Sequence, residues 1–247
     1  MARKDGRSAT QLRPVKFEVG FIKHHPGSVL VSFGDTRVLC VATAEERVPP
    51  HRLQSGGGWV TAEYSMLPAA THDRKQREIS RGKADARSVE IQRLIGRALR
   101  NVVDMNAIGQ RTINVDCDVL QADGGTRTAS ITGGFVALAH CLAAVQKRGL
   151  SMKAKTLKDA LHGQIAAVSL GILKNEIWTD ICYEEDSKAE TDLNLVARSD
   201  GTIVEVQGTA EGEPMQRDQL VGIVDRGLVA IRELCALQKE ALGGLLG

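Results

Sequence analysis

RTINVDCDVLQADGGTRTASITGG, residues 111–134, changes its period halfway through. Ile113, Val115, Cys117 and Val119 alternate with Asn114, Asp116 and Asp118, the pattern of a strand with one buried face. After Gly124-Gly125 the chain turns apolar. The spacing predicts a helix from about Ser130 to Arg148, stopped by Gly149. Upstream, SVLVSFGDTRVLCVAT (28–43) reads as a hairpin turning at Gly34-Asp35, SGGG (55–58) as a break, and WVTAEYSM (59–66) as another strand. From Arg87 the period becomes helical: Ile91, Leu94, Ile95, Ala98 and Val102 share a face, while Arg93, Arg97 and Arg100 fall largely elsewhere. Downstream, two further hairpins turn at Lys174-Asn175 and Asp200-Gly201, and a helix over about 217–242 closes the chain. Each half is thus strands followed by helices, without a low-complexity linker. The expectation is an α+β fold, one compact domain over residues 1–247 with two similar lobes.

Composition narrows the function. Of 247 residues, 43% are hydrophobic and 25% charged, an ordinary globular balance. Aromatics are 3%, which argues against a protein that grips many bases by stacking. The net charge of +2 leaves the distribution of charge to decide. Cys40, Cys117, Cys141, Cys182 and Cys235 include no CxxC pair and read as small thiols of a reducing cytosol rather than a disulfide frame or zinc site. The charged N-terminus MARKDGRSATQLRPVKF has no apolar core of a secretory signal, and no apolar run is read as a membrane span.

Three stretches carry chemistry. In Gly124-Gly125-Thr126-Arg127, two glycines let backbone N–H groups approach a ligand. A helix N-terminus lies close by, Thr126, Thr128 and Ser130 offer hydroxyls, and Arg127 offers a rigid fork. All of these favour phosphate, although a plain capped turn with a surface arginine uses the same residues. There is no GxxxxGK[ST], so a P-loop is excluded. TDICYEEDSKAETD (179–192) gathers Asp180, Glu184, Glu185, Asp186, Glu190 and Asp192. Asp180 is expected on a strand among apolar residues, where a carboxylate needs a partner or a metal. Such hard oxygens suit Mg²⁺, and a solvated acidic loop is the other reading. In HDRKQREISRGKADAR (72–87), cations outnumber carboxylates, which suits either a nucleic-acid backbone or a solvated loop.

Together these segments resemble the ribonuclease PH family of bacterial phosphorolytic exoribonucleases over essentially the whole chain. The resemblance is carried by RKDGR (3–7), SVEIQRLIGRALR (88–100), DCDVLQADGGTRTASITGGF (116–135), DICYEEDSKAETDLN (180–194) and VEVQGTAEG (204–212). It implies the ribosomal protein S5 domain 2-like fold shared with polynucleotide phosphorylase and exosome ring subunits. The implied reaction is phosphate-driven removal of nucleotides from a tRNA 3′ end as nucleoside 5′-diphosphates, with nucleotide addition as its reverse. The family's phosphate site falls on Arg87, Gly125, Thr126 and Arg127. Its catalytic, metal-supporting acids fall on Asp180 and Asp186, with Mg²⁺ as the expected ion. Its tRNA-guiding arginines fall on Arg74, Arg77 and Arg81. A cytoplasmic homohexamer, a trimer of dimers with no membrane partner, is also implied. His72, His140 and His162 have no required part, because phosphate is itself the nucleophile. A non-catalytic ring subunit and a hydrolytic nuclease are the rivals. The first would lack half of the site, and the second leaves Gly-Thr-Arg unexplained.

Overall fold

Two sheets sandwich one central helix in the computed structural model, which describes residues 3–83, 85–149, 152–211 and 213–246. The side chains of Ile79 and Arg81 lie outside the described residues. Strands β1 (Val15–Val19), β2 (Ser28–Phe33), β3 (Thr36–Glu45), β4 (Trp59–Met66) and β5 (Thr112–Gln121) form the first sheet, in the order β1-β2-β3-β5-β4. Its neighbours are antiparallel except β4 and β5, which run parallel. That pair needs a crossover, supplied by helix α2 (Ala86–Arg100) after the single turn α1 (Glu78–Arg81). The second sheet, β6 (Ile165–Leu173), β7 (Glu176–Thr179), β8 (Thr191–Arg198) and β9 (Ile203–Ala210), is antiparallel in the order β7-β6-β8-β9.

Helix α3 (Thr126–Lys147) packs on β2, β3 and β5 of the first sheet and on β6 of the second. Gly133 makes the close approach possible: a Cβ there would lie 2.5 Å from Val31 Cγ1. By length and hydropathy (1.6) this 22-residue helix could cross a membrane, a property the reading of the sequence missed. It is the core helix instead, with 83% of its apolar window buried. Helix α6 (Arg217–Ala241) covers β6 and β8, and the short turns α4 (Leu157–Ala160) and α5 (Tyr183–Asp186) complete the chain.

The expected hairpins form at their expected turns. Lys174 and Asn175 both take positive φ, 52° and 63°, as a tight hairpin turn requires. Strand β1 and the turns α4 and α5 were not expected; four- and five-residue pieces show too little periodicity to read. Helix α3 starts four residues before the predicted Ser130. Thr128 and Ser130 donate their hydroxyls to the carbonyls of Gly125 and Thr126, both at 2.8 Å, so these polar residues sit inside the helix rather than ending it. The described thiols are all free. Cys40 and Cys117 face each other across β3 and β5 with Sγ atoms 3.8 Å apart. The hydrogen bond from Cys117 to Cys40, with burial behind it, holds the Cys117 thiol well above its ordinary value. Burial pushes Cys141 to about 11 and Cys235 to about 12. Cys117, Cys141 and Cys235 are therefore not poised for thiolate chemistry.

Candidate active site

Gly124 brings the two suspected halves of the site together. It takes φ +76°, and a Cβ on it would lie 2.8 Å from the backbone of Ile181, Cys182 and Tyr183. The glycine loop therefore rests directly on the chain leading into the acidic turn α5. Tyr183 N–H donates to Asp123 Oδ1 at 3.3 Å across the same junction.

Above this junction opens a pocket of about 480 Å³. Arg87, Gly125, Thr126 and Arg127 all line it, together with Asp186, Asp192, Asn194 and Ser169. Gly125 is the N-cap of α3 and brings no side chain to cap the helix, so the first-turn N–H groups have no side-chain cap. Arg87 enters from the first turn of α2. Among the described residues it has no carboxylate at ion-pair distance. Arg127 is held from behind: its Nη1 donates to Gln207 Oε1 on β9, and Glu90 of α2 lies 3.8 Å away. Gln207 donates in turn to Glu90 at 2.8 Å.

The hydroxyls require a correction. Thr128 and Ser130 are buried and bonded to carbonyls of their own helix, so they offer nothing to a ligand. Thr126 Oγ1 shares a 2.8 Å hydrogen bond with Tyr64 Oη. With Tyr64 as donor, the Thr126 O–H is left for the pocket.

The two expected acids separate. Asp186 lines the pocket. Burial, and then the neighbouring Asp192 carboxylate, raise its pKa above the ordinary range, while Arg87 and Arg127 pull it down. Asp180 does not line the pocket and is not on a strand. It follows the end of β7 with φ +52° and is 1% exposed. Both of its carboxylate oxygens accept hydrogen bonds from Arg13, at 2.7 and 3.0 Å. The expectation of a partner was right in kind, but the partner is a buried guanidinium from the N-terminal segment.

This bears on a metal ion. Among the described residues, no group of three or more His, Cys, Asp or Glu is placed to hold one. Mg²⁺ commonly takes only one or two carboxylates plus phosphate oxygens. Asp186 and Asp192, neighbouring carboxylates that line one pocket with Arg87 and Arg127, fit that pattern. Asp180, closed off by Arg13, does not.

The basic stretch divides as well. Arg74 and Lys75 line the same pocket, beside His72. Arg77 is exposed outside it, and the Arg81 side chain lies outside the described residues. His72 also faces Tyr183, 57% exposed, with ring centroids 6.4 Å apart. His140, by contrast, is half-buried, with its Nε2 3.4 Å from the Ala241 carbonyl, and burial lowers its pKa. Gln207, Arg13, Ser169 and Tyr183 were missed as site residues, and Asp192 was gathered with the acidic cluster but not singled out. Asp192 and Gln207 lie inside the quoted motifs, so signal existed for them. Nothing in the sequence pairs Arg13 with residues 110 or more positions away.

A larger cavity of about 730 Å³ shares no lining residue with this pocket. Among the charges that line it, Arg3 pairs with Glu185, and both Lys4 and Lys188 pair with Glu184.

Solved structures share the whole architecture. The rice (Oryza sativa) Rrp46 structure superimposes with a TM-score of 0.76 at 17% identity, covering 97% of this chain and 100% of that one. An Archaeoglobus fulgidus exosome structure, described as having RNA bound to the active site, gives 0.77 at 22% identity over 94% of this chain and 91% of that one. Both show likeness of fold. In sequence, the chain is 52% identical over 245 residues to the ribonuclease PH of Moorella thermoacetica, covering 99% of this chain and 96% of that protein. The 3′ exoribonuclease family matches as domain 1 over residues 11–143 and as domain 2 over residues 163–230. The halves of the pocket come from these two matched regions, and the chain belongs to the 3′ exoribonuclease family.

Proposed function

We propose that the protein is a phosphorolytic 3′-to-5′ exoribonuclease of the ribonuclease PH type, trimming 3′ extensions of tRNA precursors. The observation that carries this reading is the meeting of the glycine loop, Arg87 and Arg127 with Asp186 and Asp192 in one pocket. A hydrolase needs the acids alone; phosphorolysis needs a second anion held beside the scissile phosphodiester.

The chain's own groups supply that hold. Arg87, Arg127 and the first N–H groups of α3 bind the attacking phosphate and share its charge as it moves toward the scissile phosphorus. One phosphate oxygen bonds to that phosphorus, the bond to the 3′-oxygen breaks, and the 3′-oxygen takes up a proton. The products are a nucleoside 5′-diphosphate and a shortened RNA 3′-hydroxyl. Mg²⁺ held by Asp186 and Asp192 would supply Lewis-acid stabilisation at the scissile phosphate. The raised Asp186 pKa makes this carboxylate pair more available to a cation as pH rises. Tyr183 and His72 offer flat faces to a base at the mouth, while Arg74, Arg77 and Arg81 follow the RNA backbone.

A homohexamer built as a trimer of dimers, working in the cytoplasm, completes the proposal. Exposed apolar side chains support association between copies, among them Ile203 and Val206 on the open edge strand β9 and Leu220 and Val221 on α6. The test is product identity. With a 3′-extended tRNA, Mg²⁺ and phosphate, nucleoside diphosphates should be released, and none without phosphate. Monophosphates released irrespective of phosphate would make the protein a hydrolase. A stable ring that binds RNA and releases nothing would make it a binding subunit.

A further inference from the structure

Arg13 lies outside the pocket and touches the chain on both sides of it: the glycine loop, and Asp180 ahead of the Asp186 turn. Its side chain is buried, 4% exposed. The backbone N–H and Nε donate to Asp180 Oδ2 at 2.8 and 3.0 Å, and Nη2 donates to Oδ1 at 2.7 Å. The rest of the same fork turns to the glycine loop. Nη1 donates to the Asp123 carbonyl at 2.7 Å, and Nη2 to the Gly124 carbonyl at 3.4 Å. Thr36 grips the same two residues, donating to the Gly124 carbonyl at 2.6 Å and accepting from Asp123 N–H at 2.9 Å.

On the acid side, Asp180 stands at the point where the chain leaves β7, in the left-handed region that an L side chain rarely adopts. Such a conformation persists where the surroundings over-determine it. Here they do. Arg3 donates to the carbonyls of Thr179 and Asp180 and to both oxygens of Glu185, the residue before Asp186. Arg7 donates to the Asp180 carbonyl at 3.1 Å. A continuous set of buried and part-buried contacts thus runs from the turn carrying Asp186, through Asp180 and Arg13, to the N-terminus of α3. Isolated buried ion pairs contribute little net stability, whereas fixing one geometry is a use they serve.

We propose that Arg13 and Asp180 are a positioning pair for the reaction: the Arg13 fork sets the spacing between the phosphate loop and the Asp186 turn, and Asp180 serves that fork rather than a metal ion. The inference rests on the reading of residues 125–127 as the phosphate loop. The mechanical consequence is that either partner, though out of reach of substrate, controls how well phosphate is placed. A misplacement of about 1 Å can cost about 10²-fold in rate.

The test compares wild type with Arg13→Lys, Asp180→Asn, the double variant, and Thr36→Val. It reads phosphate binding by calorimetry without RNA, kcat, KM for phosphate, half-saturating Mg²⁺, and the thermal midpoint. Arg13→Lys and Asp180→Asn should each lower kcat/KM for phosphate by about 10²-fold. The double variant should lose no more than its worse parent, because both changes break one linkage. Half-saturating Mg²⁺ should stay within about twofold of wild type, since the proposed holders, Asp186 and Asp192, are untouched. Thr36→Val keeps the ion pair and should weaken phosphate binding in a protein that still folds, with a midpoint lowered by several degrees for the buried hydrogen bonds lost. It therefore decides the matter even if the charge variants fail to fold. Wild-type phosphate binding in both Arg13→Lys and Thr36→Val overturns the inference. So does a tenfold rise in the Mg²⁺ requirement of Asp180→Asn with phosphate binding intact, which makes Asp180 a ligand. Arg127→Ala is the control for the underlying reading: if it binds phosphate normally, the loop assignment itself falls.

Discussion

Arg127→Ala removes a guanidinium that Gln207 and Glu90 hold ready at the pocket, with its side chain only 16% exposed. Two effects follow, and they can be separated. The first is loss of a charge-assisted contact to phosphate. A hydrogen bond to a charged group contributes about 1.5–3 kcal/mol, which is about 10- to 10²-fold in phosphate affinity. Because charge on the transferring group is redistributed in the transition state, the rate should fall by about 10²–10³. The second effect is electrostatic. Burial and Asp192 raise the Asp186 pKa, and Arg127 is one of two arginines opposing that rise. Without it the pKa climbs further. The carboxylate form is lost as pH falls through that pKa, so activity should begin to fail at a higher pH than in wild type. Arg127→Lys keeps the charge and loses the fork; it should restore the position of the acidic limb while recovering only part of kcat/KM. The assay is nucleoside diphosphate release across a phosphate titration at several pH values. Wild-type kcat/KM for phosphate in Arg127→Ala, or an acidic limb that stays put, refutes the reasoning.

Asp186→Asn should abolish trimming and raise the thermal midpoint, because it removes a carboxylate that burial and Asp192 disfavour. The folded-state pKa is raised, so this stability gain should be full at neutral pH and shrink as pH falls into the ordinary carboxylate range; a lower midpoint at pH 7 would contradict it. Gly124→Ala should lower the midpoint and abolish phosphate binding, since its Cβ would meet backbone at 2.8 Å at φ +76°, a strain on the order of 1–3 kcal/mol; unchanged calorimetric phosphate binding would count against the packed junction. Arg74→Ala should weaken short oligonucleotides and 3′-extended tRNA alike, because Arg74 lines the pocket. Arg77→Ala should weaken only the tRNA and flatten its log–log salt slope by about one; KM values for both substrates at two salt concentrations separate the cases, and equal losses in Arg77→Ala would place that residue at the active site.

The sequence by itself determined most of the elements and half of the site. Alternation in β5, the hairpin turns, and the helical stripe of α2 are local patterns, and local patterns survive without tertiary information. Gly125, Thr126 and Arg127 stand out in the sequence because they are consecutive, and Arg87 only through the family resemblance; the structure brings all four to one pocket. What the sequence could not decide was direction and partnership. Thr128 and Ser130 look like ligand donors until burial turns their hydroxyls onto the helix's own carbonyls. Asp180 and Asp186 look equivalent in one acidic run, yet one is closed off by Arg13 and the other opens into the pocket. Arg74 and Arg77, three residues apart, divide between the pocket and the surface. The physical reason is common to all three. A charged or hydroxyl group takes its role from whatever lies within about 3 Å of it, and for Arg13 and Asp180 that neighbour is 167 residues away along the chain.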